Sequence, residues 1–398
     1  MESLRLATRL QGKSGNVIRE ILKLTQQSEV ISFAGGLPSP DGFPRTALQR
    51  IANDVLESSG TGILQYATTE GSLALREAIV DLVAEQGIRA TPDQVRILSG
   101  SQQGIDLAMK AFIDPGDAVL VQSPTYLAAL QIISLYEGRA VPVAEDSEGM
   151  DPKALEEAIK RENPKIIYLI PTFRNPSGET MSAERRQTIV EIAARHGIIV
   201  LEDDPYGALR YSGDPVPAAK AFDTQGNVIY LGSFSKIIAP GLRVGYAIAS
   251  EEVLRPITIG KQGSDVHTSN LSQAIVAEFL RRGLLSEHLA NVLPQYKEKR
   301  DAMLRAFERH FPVETRWTRP DGGLFIWVEL PEELDTTALL EEAVKHNVAY
   351  IPGVPFYADG AGRSTMRLNF SHASLEDIEV GIERLGRVIT QALEKFSI

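Results

Sequence analysis

The 398-residue chain has no cysteine, which excludes disulfides, thiolate metal sites and a cysteine nucleophile. It has no excess of basic residues either. Lys and Arg number 41 against 52 Asp and Glu, a net charge of -11. Nucleic acid and anionic membrane surfaces both demand clustered Lys and Arg, so neither is an expected partner. No apolar run approaches the ~20 residues that span a bilayer. The opening residues, Met1 to Arg9, lack the apolar core of a secretory signal. A cytoplasmic protein without a metal site is the expectation. Internal repeats and low-complexity tracts are also absent. What remains is an ordinary globular composition, long enough for one large domain and a smaller one.

The middle of the chain alternates short apolar runs with amphipathic stretches. Val95–Leu98, Ala118–Val121, Lys165–Ile170, Gly197–Leu201, Val228–Leu231 and Val244–Ile248 read as buried strands. Between them, Ala154–Arg161 and Ala183–Arg195 read as helices, the second capped by Ser182 and closed by Gly197. That alternation predicts an α/β fold with a mostly parallel sheet and helices on both faces. The last third differs. A long helical pattern from about Ser286 to His310 contains Pro294. Short strands follow at Gly323–Glu329 and Arg367–Phe370, then a closing helix whose Ser374-Leu-Glu-Asp377 resembles a capping box. These read as a smaller α+β domain, joined in space by the N-terminal segment. Glu145–Asp151 and Ala358–Ser364 read as plain polar loops.

Ligands of open parallel sheets bind beyond the carboxyl ends of the strands, so the residues there are the candidates. After Leu98 comes Ser99-Gly-Ser-Gln-Gln-Gly104, a small-residue turn feeding a helix N-terminus, suited to a phosphate or simply a strand-to-helix turn. After Val121 comes Ser123-Pro-Thr-Tyr126, an aromatic face or a packing tyrosine. After Ile170 come the turn formers Asn175-Pro-Ser-Gly178. After Leu201 come Glu202, Asp203 and Asp204, costly at a buried strand end unless a cation faces them. After Leu231 comes Ser233-Phe-Ser-Lys236, with Arg243 seven positions on. A lysine among Ser and apolar residues at a strand end can form a Schiff base with a carbonyl. One cofactor uses all of these parts. Pyridoxal phosphate (PLP) has a phosphate, an aromatic ring, a ring nitrogen that must stay protonated, a phenolic oxygen, and an aldehyde that condenses with lysine.

In order and spacing these motifs resemble the class I, fold type I PLP-dependent aminotransferases. Ser32-Phe-Ala-Gly-Gly-Leu-Pro38 and Leu64-Gln-Tyr66-Ala-Thr-Thr-Glu-Gly71 look most like the α-aminoadipate aminotransferase and kynurenine aminotransferase II branch. The resemblance spans essentially the whole chain. It implies a large PLP-binding domain over 46–295 with a mostly parallel seven-stranded sheet. A small α+β domain would come from 1–45 plus 296–398. It implies that Lys236 carries the cofactor and shuttles a proton, with Asp203 pairing the ring nitrogen and Tyr126 stacking on the ring. Asn175 and Tyr206 would hydrogen-bond the phenolic oxygen. Ser101, Gln102, Ser233 and Arg243 would hold the phosphate, and Ser235 would also contact the cofactor. Tyr66 would reach the phosphate of the other subunit, which requires a homodimer. Arg367 would grip the substrate α-carboxylate, with Asn175 and Gly36 beside it.

Substrate choice is less sharply written. Asn16–Leu24 reads as an amphipathic helix. Within it, Arg19 matches an arginine that in this branch binds a side-chain carboxylate, the alternative being a solvated surface arginine. Glutamate or 2-aminoadipate is the expected donor and a 2-oxo acid such as 2-oxoglutarate the acceptor, with aromatic or branched-chain substrates admitted when the helix moves. Two departures stand out: Ser177 where threonine is usual, and Arg174, which either favours acidic side chains or points outward. A PLP-dependent lyase or decarboxylase is the alternative enzyme. An aminotransferase-like transcription regulator is disfavoured by the acidic balance and by the absence of a basic N-terminal segment.

Overall fold

The computed structural model of the chain describes residues 6–11 and 29–396. Its centre is a seven-stranded sheet built from β1 (Val95–Leu98), β2 (Ala118–Val121), β3 (Arg139–Pro142), β4 (Ile166–Leu169), β5 (Ile199–Asp204), β6 (Val228–Ser233) and β7 (Gly245–Ile248). The spatial order is β1-β7-β6-β5-β4-β2-β3. All neighbours run parallel except β7, which is antiparallel to both β1 and β6. Strands β2, β4 and β6 are buried along their whole length. That burial explains their continuous apolar runs, since helices cover both faces. The six runs read as strands lie in these places. The seventh strand, β3, is an edge strand of sequence Arg-Ala-Val-Pro with its first residue exposed, so it carries neither an apolar run nor a clean alternation.

The helices that matter for the site are α1 (Ser101–Phe112), α2 (Leu127–Leu135), α3 (Ala183–Arg195), α4 (Glu251–Gln262), α5 (Leu284–His310) and α6 (Leu375–Phe396). Ser182 caps α3 by accepting the Arg185 N–H. Helix α5 continues through Pro294. At the start of α6, Ser374 accepts the Asp377 N–H at 3.0 Å, but Asp377 takes the Ser374 hydroxyl at 2.7 Å rather than its backbone N–H. The capping box expected here is therefore half-formed: aspartate is one methylene shorter than the glutamate that closes the ring.

A second, antiparallel sheet holds β8 (Arg316–Trp317), β9 (Phe325–Glu329), β10 (Ile351–Pro352) and β11 (Thr365–Asn369), in the order β8-β9-β11-β10. Its core joins Ile326, Val328 and Leu368 to Met303 and Phe307 of α5 and to Ile382 of α6. The N-terminal Ile31–Ser32 pairs in parallel with Val348–Ala349, which carries Phe33 and Ala34 into that core. Glu145–Asp151, expected as a plain loop, instead forms a small hairpin of Glu145–Asp146 with Gly149–Met150. Among the described residues no helix is long and apolar enough to cross a membrane.

Candidate active site

Topology gathers the candidates at one edge. Strands β1, β2, β4, β5 and β6 all end there, and β7, running the other way, begins there. Arg243, just before β7, therefore meets the turn after β1. A cleft of about 300 Å³ opens at this edge, lined among others by Gly36, Ser101, Gln102, Tyr126, Asn175, Asp203, Tyr206, Ser233, Ser235, Lys236, Arg243 and Arg367. Of the cofactor and substrate candidates among the described residues, Tyr66 is the one that is not in this wall. Arg19 lies outside the described residues. Tyr66 is 81 % exposed, its ring edge-on to His267 at 5.9 Å.

The turn before α1 is shaped for an anion. Gly100 has φ +91°, and a Cβ there would lie 2.4 Å from the Arg243 guanidinium. A Cβ on Gly245 would strike Gly100 and the Ser101 N at 2.8 Å. Both positions need glycine for close approach. Arg243, itself left-handed at φ +54°, donates Nη2 to the Ser99 carbonyl at 3.0 Å and Nη1 to Ser235 Oγ at 3.4 Å. The guanidinium thus stands beside the free N–H groups of the helix start, where the helix dipole already favours negative charge.

Strand alternation sorts the three carboxylates of β5. Glu202 and Asp204 face one side of the sheet and Asp203 the other. Glu202 accepts the Ala219 and Lys220 N–H groups, each at 2.8 Å, and Asp204 accepts the Tyr230 hydroxyl at 2.9 Å and the Gly207 N–H at 2.7 Å. Asp203 alone faces the cleft. Its Oδ2 takes the hydroxyl of buried Tyr168 at 2.9 Å, and its Oδ1 is buried with no partner. Burial pushes the Asp203 carboxyl up to about 7, with the Tyr168 hydrogen bond pulling the other way. Tyr168 was hidden from sequence reasoning inside an apolar run; its one signal was its place one residue before the end of β4.

Lys236 donates to the Gly36 carbonyl at 2.6 Å. Burial first, then Arg367 and Arg243, lower its ammonium to about 8. Arg367 is 1 % exposed, packed 4.2 Å from the Phe325 ring centroid and 5.1 Å from that of Phe356. Its Nη1 donates to Asn175 Oδ1 at 2.8 Å, its Nη2 to the Ala34 carbonyl at 2.9 Å, and its Nε is buried without a partner. Burial pulls its guanidinium down to about 10. Burial likewise raises the Tyr126 phenol to about 12, so Tyr126 stays neutral. Arg174 departs from both expectations placed on it. It is buried outside the cleft, with Nη1 on Glu145, Nη2 on Glu179 and Nε on Ser177, all within 2.9 Å. It neither points outward nor is free for a substrate.

The family profile "aminotransferase class I and II" matches residues 29–385. The chain belongs to this family. It is an aminotransferase, and its cofactor is pyridoxal phosphate. The aromatic-amino-acid aminotransferase 1 of Thermococcus litoralis is 44 % identical over 96 % of this chain and 94 % of its own length. The 2-aminoadipate transaminase of Thermus thermophilus is 42 % identical over 94 % of each chain. The kynurenine aminotransferase of Pyrococcus horikoshii, solved with PMP, superposes with a TM-score of 0.94 at 42 % identity, covering 98 % of this chain and 97 % of the other. The aminotransferase cleft fits PLP on its donor set. A buried, unpaired carboxylate oxygen on Asp203 suits a protonated ring nitrogen, a glycine-shaped turn beside Arg243 suits a phosphate, and an amine lowered toward neutrality suits an aldehyde.

Proposed function

We propose that this aminotransferase takes the amino group of an L-amino acid and delivers it to a 2-oxo acid such as 2-oxoglutarate, as a homodimer. The observation that carries the reading is the convergence of Lys236, Asp203 and Arg367 on one cleft, the latter two each with an unpartnered polar atom. Bound PLP supplies an electron sink for the charge that develops at the substrate Cα. Ser101, Gln102, Ser233 and Arg243 hold its phosphate, Ser235 also contacts the cofactor, and Tyr126 covers its ring. Asp203 keeps the ring nitrogen protonated, which matters most where negative charge has built up at Cα. Asn175 and Tyr206 hydrogen-bond the phenolic oxygen. Arg367 holds the α-carboxylate in two hydrogen bonds, with Asn175 and the Gly36 backbone at its side. Lys236, its amine lowered to about 8 by burial and by Arg367 and Arg243, would be the group that takes the substrate Cα proton and gives it back.

Residues 46–295 form the cofactor domain in this reading, and 1–45 plus 296–398 the small domain. Tyr66 serves the phosphate in the other subunit. Its exposure beside other uncovered apolar side chains, Leu64, Leu73 and Val266, supports a surface meant for a second copy.

For the donor, glutamate or 2-aminoadipate is favoured if Arg19 clamps the side-chain carboxylate, as the Thermus relative's name suggests. A second reading has its own support. The described cleft wall offers Leu37, Ile170 and Phe325, apolar surface that suits aromatic or branched side chains, in line with the names of the Thermococcus and Pyrococcus relatives. The test is the visible spectrum of the purified holoenzyme as glutamate, 2-aminoadipate, leucine, phenylalanine and kynurenine are added singly, without oxo acid. Loss of the band near the aldehyde form with growth of the pyridoxamine band marks each donor. Conversion by the acidic pair alone selects the Arg19 clamp. Conversion by the apolar amino acids alone selects the second reading. Bound PLP that none of the five converts would overturn the proposal.

A further inference from the structure

Lys261, on α4, is a buried cation that the chemistry above leaves unused. Its side chain is 1 % exposed, rare for lysine unless the charge is matched. The match is complete. Nζ donates to Gln103 Oε1 at 2.9 Å, to both oxygens of Asp265 at 2.9 Å, and to Thr268 Oγ1 at 3.1 Å. Asp265 Oδ2 also accepts the Ser99 hydroxyl and the Gln103 amide, each at 2.8 Å. Gln103 Oε1 in turn accepts the Ser99 N–H at 2.8 Å. Burial opposes ionisation of Asp265, yet the bonds from Lys261, Gln103 and Ser99 hold its carboxyl below the usual range.

The two residues seized in this way, Ser99 and Gln103, flank Gly100-Ser101-Gln102. Ser99 also offers its carbonyl to Arg243. Neither Lys261 nor Asp265 is in the cleft wall, so they touch no ligand there and act only through the turn. A buried ion pair adds little stability over an apolar pair of the same volume, and its attested value is in fixing geometry. Here the geometry fixed is the anion turn at both of its ends.

We propose that Lys261 and Asp265 are positioning residues that lock the Ser99–Gln103 turn in the shape that grips the cofactor phosphate. This rests on the assignment of Ser101, Gln102 and Arg243 to that phosphate. Supporting groups of this kind decide whether a site is preorganised or loose. The pair therefore contributes to binding only when the ligand carries a phosphate.

The test compares the dissociation constants of PLP and of pyridoxal, its phosphate-free form, for the full-length protein and its variants. Lys261→Met should weaken PLP on the order of tenfold, the range typical of supporting residues at metal sites, and leave pyridoxal within about twofold. Ser99→Ala, which removes one arm of the clamp without stranding a charge, should do the same to a smaller degree and covers the case in which Lys261→Met fails to fold. Arg243→Gln is the control. If it weakens PLP selectively while both clamp variants weaken PLP and pyridoxal equally, or neither, the clamp is merely structural and the inference falls. If Arg243→Gln itself shows no selectivity for the phosphate, the cradle assignment falls, and the inference with it.

Discussion

Two buried arginines at opposite sides of the Asn175 turn show how the molecule separates framework from site. Arg174 lies under the Glu145 hairpin with its guanidinium donors answered by Glu145, Glu179 and Ser177. The paired acids hold it charged: burial pulls its pKa down, and Glu145 and Glu179 more than restore it. Arg367, on β11, is as deeply buried, but two aromatic rings and two neutral oxygens surround it, and Nε is left without a partner. One cation is closed; the other keeps a buried donor without an acceptor. Strand β5 repeats the contrast one residue apart. Glu202 is satisfied by two backbone N–H groups, whereas Asp203 keeps an idle oxygen. An unsatisfied buried charge is expensive, so its persistence marks where a ligand completes the structure.

The contrast breaks most visibly at the carboxylates. Asp203→Ala should lower kcat by ~10³-fold or more, while Glu202→Gln stays within about threefold, measured as single-turnover rates with PLP saturating. Comparable losses in both would mean that the idle oxygen is incidental.

The arginines come next, and they should separate activity from stability. Arg367→Lys should cut kcat/KM by ~10²-fold through the lost two-pronged grip and move the melting temperature little. Arg174→Met should do the reverse. It strands the Glu145 carboxylate, which is only 12 % exposed, and this is expected to cost roughly 3 kcal/mol in denaturant titration of the cofactor-free protein while kcat/KM holds.

A pH series sharpens the same comparison. Without cofactor, the Asp203 carboxyl is raised to about 7, above its unfolded value. Its contribution to stability is thus fully present below ~4 and is lost as pH rises toward 7, by a few kcal/mol at most. The cofactor-free protein should lose melting temperature over that window relative to its Asp203→Asn variant, and PLP should abolish the difference. Parallel curves for the two proteins would argue that water or a neighbour already satisfies Asp203.

The smallest effect concerns the surface. Tyr66→Phe should weaken PLP by roughly tenfold, one hydrogen bond to a charged group, and only in the dimer. An unchanged affinity would return Tyr66 to the role of a covering residue.

The fold was legible wherever burial was two-sided. The six apolar runs match their strands within two residues at nearly every end, because a strand covered on both faces is apolar along most of its length. β3, one-sided and four residues long, had no such signature. The candidate site was legible as far as its placement goes: Lys236, Asp203, Arg243 and Arg367, unusual residues near strand ends, line one cleft. Tyr168 and Lys261 were not legible. A tyrosine in an apolar strand and a lysine in a helix look ordinary until a three-dimensional partner, Asp203 in one case and Asp265 in the other, gives them a role. Arg174 misled for the same reason in reverse, since its partners lie 29 residues upstream and 5 downstream.

The reversed strand β7 also sets when the cofactor site can exist. β1 touches the large sheet only through β7, which lies about 145 residues later along the chain, and the Gly100 turn finds Arg243 only across that junction. A ribosome must therefore deliver nearly two-thirds of the protein before the anion turn has its second wall, and pairing over such sequence distances is slow. Cofactor capture is in this sense a late report on folding: a nascent chain released before β7 would hold the lysine and the aspartate yet be unable to retain PLP, and retention by such a fragment would disprove it.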